Sequence, residues 1–496
     1  MTVFPETIPD ILEWRAGLAA PGSSPWLRYE GESFTLADVT SQVDRLAVGL
    51  AERGVVRGDV VAILAGNRPE TIFAWFASNR LGAIATPLNP AYKAPELAGV
   101  LALTKPRLVV VTDELRALAA AADATAVLAS PDELARGGTG SPRAAVEPDD
   151  VAVLLATSGT TGAPKAVMQT HRTYALTAEA FPWWLGLGES DRLLCTLPLF
   201  HINAQAYSTM GALGCGAGLA LVPRFSASRF WSDVRRHEAT EVNAVGAMIH
   251  ILLSAEPSAA DRDHRLRLCY SALALPEEKH RAFEERFGTK MIVGYGLSET
   301  TFGTVWPLDA PPRYGTIGVL RQHPRLGTIN RGRVVRDDGS DAGPDEVGEL
   351  LLSNPATMRG YLGDAEQTRA VFDGEWLRTG DLVRRDAEGT YTFVARKKEI
   401  LRRRGENVAA AEIERALAAH AAVLEAAVIG VPSSLGEDDI VAFVVPRPGA
   451  SIDVEELRAF VRERLADFKV PARIHVRDAL PRTATERIAK HLLRET

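Results

Sequence analysis

Short apolar runs alternate with longer helical patterns along most of this chain, and that rhythm restricts the fold more than any other feature. Val60-Val61-Ala62-Ile63-Leu64 reads as a buried strand stopped by Gly66-Asn67, and Pro69 to Leu81 then reads as a helix. Ile84-Ala85-Thr86, Leu108 to Val111, Val151 to Leu155, Leu219 to Val222 and Met291-Ile292-Val293 continue the series. Thr35 and Asp38 stand at capping-box spacing ahead of a helical pattern that runs to Gly54. Strands that are apolar throughout must be covered on both faces. The alternation therefore predicts an α/β fold, a large N-terminal domain of parallel sheets flanked by helices.

The rhythm changes from about 315 to 395. Turns at Asp338-Gly339, Asp373-Gly374 and Glu388-Gly389 separate short apolar runs, the pattern of antiparallel hairpins or a small β-barrel-like subdomain. After residue 396 the alternation returns on a smaller scale. Glu412 to Ala419 and Val454 to Leu465 look helical, and Val428 to Val431 and Ile440 to Val445 look like strands. That is a compact α+β domain of about one hundred residues. The expected division is 1–395 and 396–496. A polar stretch at 135–149 interrupts the first domain.

Composition narrows the function. The 496 residues are 46% hydrophobic, enough for large cores, and the net charge of −7 argues against a general nucleic-acid binder. Cys195, Cys215 and Cys269 are scattered without metal spacing and read as reduced thiols of a cytosolic protein. The first residues carry no basic segment followed by an apolar core, and no stretch approaches the ~20 apolar residues of a membrane span. A cytoplasmic location is expected. The sequence leaves the oligomeric state open, a homodimer included.

One loop carries chemistry. Thr157, Ser158, Gly159, Thr160, Thr161 and Gly162 follow the apolar run Val151 to Leu155, and Lys165 closes the segment. Glycines let backbone N–H groups approach a ligand, hydroxyls donate further bonds, and lysine adds a point charge, so phosphate is the fitting guest. It is not a Walker loop, which needs four residues between its glycines and a Gly-Lys-Ser/Thr ending. By itself it also reads as a surface loop that binds nothing.

Further segments suit a nucleotide. GYGLSETT (294–301) offers the ring of Tyr295 for a base and the carboxylate of Glu299 for Mg²⁺. WLRTGDLVRRD (376–386) places Asp381 just after a Thr-Gly turn, where it can accept ribose hydroxyls or simply satisfy the turn. RKKEILRRRGENV (396–408) is strongly basic, either a solvated face or a partner for phosphates.

These motifs, closed by LPRTATERIAK (480–490), occur in an order that resembles the adenylate-forming superfamily: acyl-CoA synthetases, peptide-synthetase adenylation domains and beetle luciferases. LPLFHINAQ (197–205), SASRFW (226–231) and RRRGEN look most like the crotonobetaine/carnitine-CoA ligase branch. The resemblance implies that ATP and a small acid give an acyl-AMP and pyrophosphate, and that CoA then displaces AMP. It places Thr157 to Gly162 and Lys165 at phosphate, Tyr295, Gly296 and Ser298 at the nucleotide, and Glu299 at Mg²⁺. Asp381 takes the ribose with help from Arg396, and Lys398 is the hinge of a mobile C-terminal domain. His201, Ala272, Leu273 and Ala274 fall at the acid pocket.

Two departures stand out. Ser271-Ala272-Leu273-Ala274 replaces a glycine-rich pocket wall, which predicts a short pocket. Glu486-Arg487 replaces the family's Gly-Lys, leaving either Arg487 or Lys490 to bridge the acid and the α-phosphate. That change keeps an alternative open: a non-CoA acceptor or an unusual oxyanion, as in a nitrite-activating diazotase.

Overall fold

The computed structural model describes residues 4–20, 22–158, 164–272, 274–403, 406–432, 438–482 and 488–495. Two compact units are present: Met1–Gly332 with Leu352–Arg378, and Arg333–Leu351 with Thr379–Thr496.

The first unit holds the two large sheets. One has seven strands, in the order Gly360–Tyr361, Pro164–Thr170, Val151–Ser158, Ile84–Pro87, Val60–Leu64, Leu108–Val111, Leu128–Ala129. The apolar runs expected to be parallel are parallel here, with Val60–Leu64 flanked by Ile84–Pro87 and Leu108–Val111. Val61, Ile63 and Val110 are buried, as strands covered on both faces require. The helix Leu36–Glu52 starts at the expected capping box, with Thr35 N–H donating to Asp38 at 2.8 Å.

The second sheet has nine strands. Lys290–Tyr295, Leu268–Ala272, Glu241–Val245, Arg192–Cys195, Gly218–Leu221 and Leu27–Tyr29 are successive parallel neighbours. Thr304–Val305 and Val319–Leu320 extend one edge antiparallel. Aromatic side chains fill the interior beneath this sheet, among them Tyr174, Phe181, Tyr270 and Phe287.

The stretch expected to be barrel-like contains short antiparallel strands of a five-stranded sheet. Phe372–Asp373 pairs with the start of Trp376–Arg385, and Tyr391–Arg396 pairs with its end. The second unit also contains the small α+β body. Val423–Pro432, Asp438–Pro446 and Arg473–Val476 form its sheet. Helices Ala410–Ala418 and Val454–Arg462 pack Ile413, Leu417, Leu457 and Val461 into one core with Val428, Ile440 and Val444.

Candidate active site

The nine-stranded sheet contains a topological reversal. The chain passes from Arg192–Cys195 to Gly218–Leu221 on one side, then returns to Glu241–Val245 on the other side. In an open α/β sheet such a reversal opens a crevice at the carboxyl ends of the strands, and ligands bind there. The segments leaving that edge carry His201, Gly246, Ala272, Ala274 and Gly296 to Glu299. The parallel register of this sheet thus gathers His201, Ala272, Ala274, Gly296, Ser298 and Glu299, scattered along the chain, at one edge. Leu273 lies outside the described residues.

The His201 segment is clamped from below. Asn67, which stops the strand Val60–Leu64, donates to the Leu197 carbonyl at 2.9 Å and accepts from the Leu199 N–H at 2.7 Å. Gln205 donates to the Leu199 carbonyl at 2.7 Å and accepts from the Tyr174 hydroxyl. The half-buried His201 ring lies 4.4 Å from that of Phe200.

Val151–Ser158 and Pro164–Thr170 form a hairpin in which Thr157 opposes Lys165 and Ser158 opposes Pro164. Thr157 and Ser158, expected in the loop, therefore belong to the strand, because antiparallel pairing with the returning segment continues past the apolar run. Gly159, Thr160, Thr161 and Gly162 lie outside the described residues. Among the described residues the next helix starts at His171.

Lys165 and Glu299 meet through a tyrosine that sequence reasoning missed. The Tyr361 hydroxyl donates to Glu299 Oε1 at 2.9 Å, and Lys165 Nζ lies 5.1 Å from the centre of the Tyr361 ring. Gly360–Tyr361 pairs with Met168 and Val167, which fixes the ring beside the hairpin. Burial, then the neighbouring Glu299 carboxylate, raises the Tyr361 hydroxyl pKa, so it stays a donor. Backbone bonds hold Glu299 from the other side, with Met358 N–H donating to its carbonyl at 2.7 Å. Ser298 is half-buried, and its carbonyl accepts from the Gln169 amide. Tyr295, expected against adenine, is buried at the end of its strand.

In the second unit Asp381 and Arg396 stand opposite each other across antiparallel strands, with Arg396 Nε 2.9 Å from the buried Asp381 carboxylate. Thr379-Gly380 is not the expected turn. It lies within Trp376–Arg385, where Gly380 takes φ +69° and the Asp381 N–H donates to the Thr379 hydroxyl at 3.1 Å. That left-handed residue lets a strand bend without ending. Lys398 lies in the short turn Lys397–Glu399. Arg487 lies outside the described residues. Lys490 is bound on both sides, Nζ being 2.7 Å from Glu399 and 2.8 Å from Glu414. Burial works against its charge, and the two carboxylates outweigh that and raise its pKa.

Comparison with known proteins decides the family. A family model described as AMP-binding enzyme matches residues 13–362, and one described as AMP-binding enzyme C-terminal domain matches 412–487. The chain belongs to the AMP-binding enzyme family. It is an ATP-dependent adenylate-forming ligase of the acyl-CoA synthetase type. A sulfoacetate–CoA ligase of Cupriavidus necator is 35% identical, over 98% of each chain. A crotonobetaine/carnitine–CoA ligase of Escherichia coli is 31% identical over 93% of each, in keeping with the branch its motifs suggested. Among solved structures, the o-succinylbenzoate coenzyme A synthetase of Bacillus subtilis, in complex with ATP and magnesium ion, superposes with a TM-score of 0.86. It is 29% identical over 98% of each chain. These relatives are CoA ligases, so the diazotase alternative is not favoured. Among the described residues no helix is long and apolar enough to cross a membrane.

Proposed function

We propose that this AMP-binding enzyme joins a short acid to coenzyme A through an acyl adenylate. The observation that carries the reading is the Lys165–Tyr361–Glu299 cluster, in the unit whose nine-stranded sheet opens the crevice. The donor set fits a magnesium nucleotide. Tyr361 occupies one oxygen of the Glu299 carboxylate, leaving acceptor capacity for a hard cation, which takes its other ligands from phosphate and water. When bound, Mg²⁺ neutralises charge on the phosphate oxygens.

The chain's own residues do the rest. Lys165 and the hairpin donors Thr157, Ser158, Gly159, Thr160, Thr161 and Gly162 hold the departing phosphates. Asp381, oriented by Arg396, accepts the ribose hydroxyls, while Tyr295 and Gly296 face the base. Ala272, Leu273, Ala274 and His201 bound the acid. Arg487 bridges the attacking carboxylate and the α-phosphate, since the Lys490 charge is already balanced by Glu399 and Glu414. Residues 396–496 turn about Lys398 against 1–395, presenting Arg487 for the first half-reaction and the CoA thiol for the second. The acids of the named relatives, sulfoacetate, crotonobetaine and carnitine, are short and carry a second polar group, which fits the short pocket expected from Ala272, Leu273 and Ala274. A cytoplasmic enzyme meets ATP and CoA together.

The test is acid-dependent pyrophosphate release from ATP, followed by thioester formation when CoA is added. Short acids should give both, and Glu299→Gln should raise the Mg²⁺ concentration needed. Pyrophosphate release that CoA never converts to thioester would overturn the CoA assignment and leave adenylation standing.

A further inference from the structure

Arg321 is completely buried, at 0% exposure, yet no carboxylate pairs with it among the described residues. Its partners are neutral. Nε donates to the Thr304 carbonyl at 2.9 Å, and Nη1 donates to the Tyr207 hydroxyl at 2.7 Å and to the Thr301 carbonyl. Nη2 donates to the Tyr270 hydroxyl. Three rings surround the guanidinium, Trp184 at 4.7 Å, Tyr207 at 5.1 Å and Tyr270 at 5.5 Å. Hydroxyl dipoles and ring faces solvate a cation, but they do not cancel its charge. A net positive charge is therefore stored inside the protein.

The charge lies against the carboxyl edge of the sheet. Tyr207 sits on the helix that follows His201, and Tyr270 points to the same sheet face as Ala272, two residues on. A side chain at Gly296 would begin 2.8 Å from the Tyr207 hydroxyl and 3.8 Å from Arg321 Nη1, and one at Gly294 would strike the Tyr270 hydroxyl. The bare backbone at 294 and 296 thus packs directly against the cage.

The same cage bears on the charge of the substrate. A trimethylammonium tail is recognised by open aromatic faces, and here Trp184, Tyr207 and Tyr270 already hold the protein's own cation. We infer that Arg321 is a positioning residue for specificity. Through Tyr207 and Tyr270 it selects short acids that carry a second anionic group, a sulfonate or carboxylate, over acids with a neutral or cationic tail. The inference rests on the ligase reading above.

The test measures kcat and KM for pyrophosphate release with three matched short acids, whose far ends are anionic, neutral and trimethylammonium. The wild type should favour the anionic acid over the neutral one by about tenfold or more in kcat/KM, mostly through KM, and should use the cationic one least. Arg321→Met should collapse the ratio towards one, Arg321→Lys should keep its sign, and Tyr207→Phe should reduce it in a protein whose folding is least disturbed. A wild type that adenylates the neutral or cationic acid as well as the anionic one overturns the inference while the ligase stands. So does an Arg321→Met or Tyr207→Phe variant that folds and leaves the ratio unmoved. Should no acid of any class release pyrophosphate, the ligase reading fails and the inference falls with it.

Discussion

Arg321 and Lys490 are both cations drawn largely out of water, and the protein answers them in opposite ways. Lys490 lies between two carboxylates, Glu399 and Glu414, so its charge is spent locally on tying the turn after Lys397 to the last segment of its unit. Arg321 receives hydroxyls, carbonyls and ring faces, so its hydrogen bonds are satisfied while its charge is not cancelled. The first arrangement is a structural tie. The second leaves an uncancelled charge inside the first unit, the charge that the inference above assigns to acid selection. Lys165 belongs with Arg321: it is half-buried over the Tyr361 ring, and no carboxylate pairs with it among the described residues.

The sharpest way to break this contrast is Arg321→Ala. It empties a filled cage and removes the guanidinium's hydrogen bonds to the Tyr207 and Tyr270 hydroxyls and the Thr301 and Thr304 carbonyls, and should cost about 3–5 kcal/mol in urea unfolding. A loss under about 1 kcal/mol would mean the guanidinium is not what holds the cage. Lys165→Ala comes next. If its charge is kept free for phosphate, kcat/KM for ATP should fall roughly ten- to hundredfold with the unfolding midpoint unchanged. An altered midpoint with unaltered kinetics would move Lys165 to the structural class.

Lys490→Met tests the opposite case and should show in stability before chemistry. Glu399 and Glu414 are partly exposed, so water screens them and the loss should be about 1–2 kcal/mol. The pH dependence has a definite sign. The folded lysine pKa is raised above its ordinary 10.5, so its contribution is fully present below that value and is lost as pH rises through the folded one. The wild type should shed that stability on the alkaline side, and the Met variant should lack that part of the slope. The smallest effect is expected of Tyr361→Phe. Removing one hydrogen bond to Glu299 should raise the Mg²⁺ concentration for half-maximal pyrophosphate release about fivefold, with little change in folding. No change would leave Glu299 positioned by its backbone alone.

Much of the architecture was legible in the sequence because its causes are local. Apolar runs such as Val60–Leu64 and Leu108–Val111 set strands, Thr35 and Asp38 set a helix start, and the order of short motifs set the family. Even where the local reading slipped, at Thr157-Ser158 and Thr379-Gly380, the misjudged step was whether a strand ends, which depends on a partner strand. What the sequence could not show is held by pairs far apart in the chain. Tyr361 reaches Glu299 across 62 residues, and Arg321 reaches Tyr207 across 114 and Tyr270 across 51. A tyrosine beside a glycine has no periodic signature, and an arginine in isolation reads as exposed, because burying its charge is costly. Only the tertiary structure supplies the acceptors and rings that make the burial tolerable, and so only there does a surface-type residue become an internal charge.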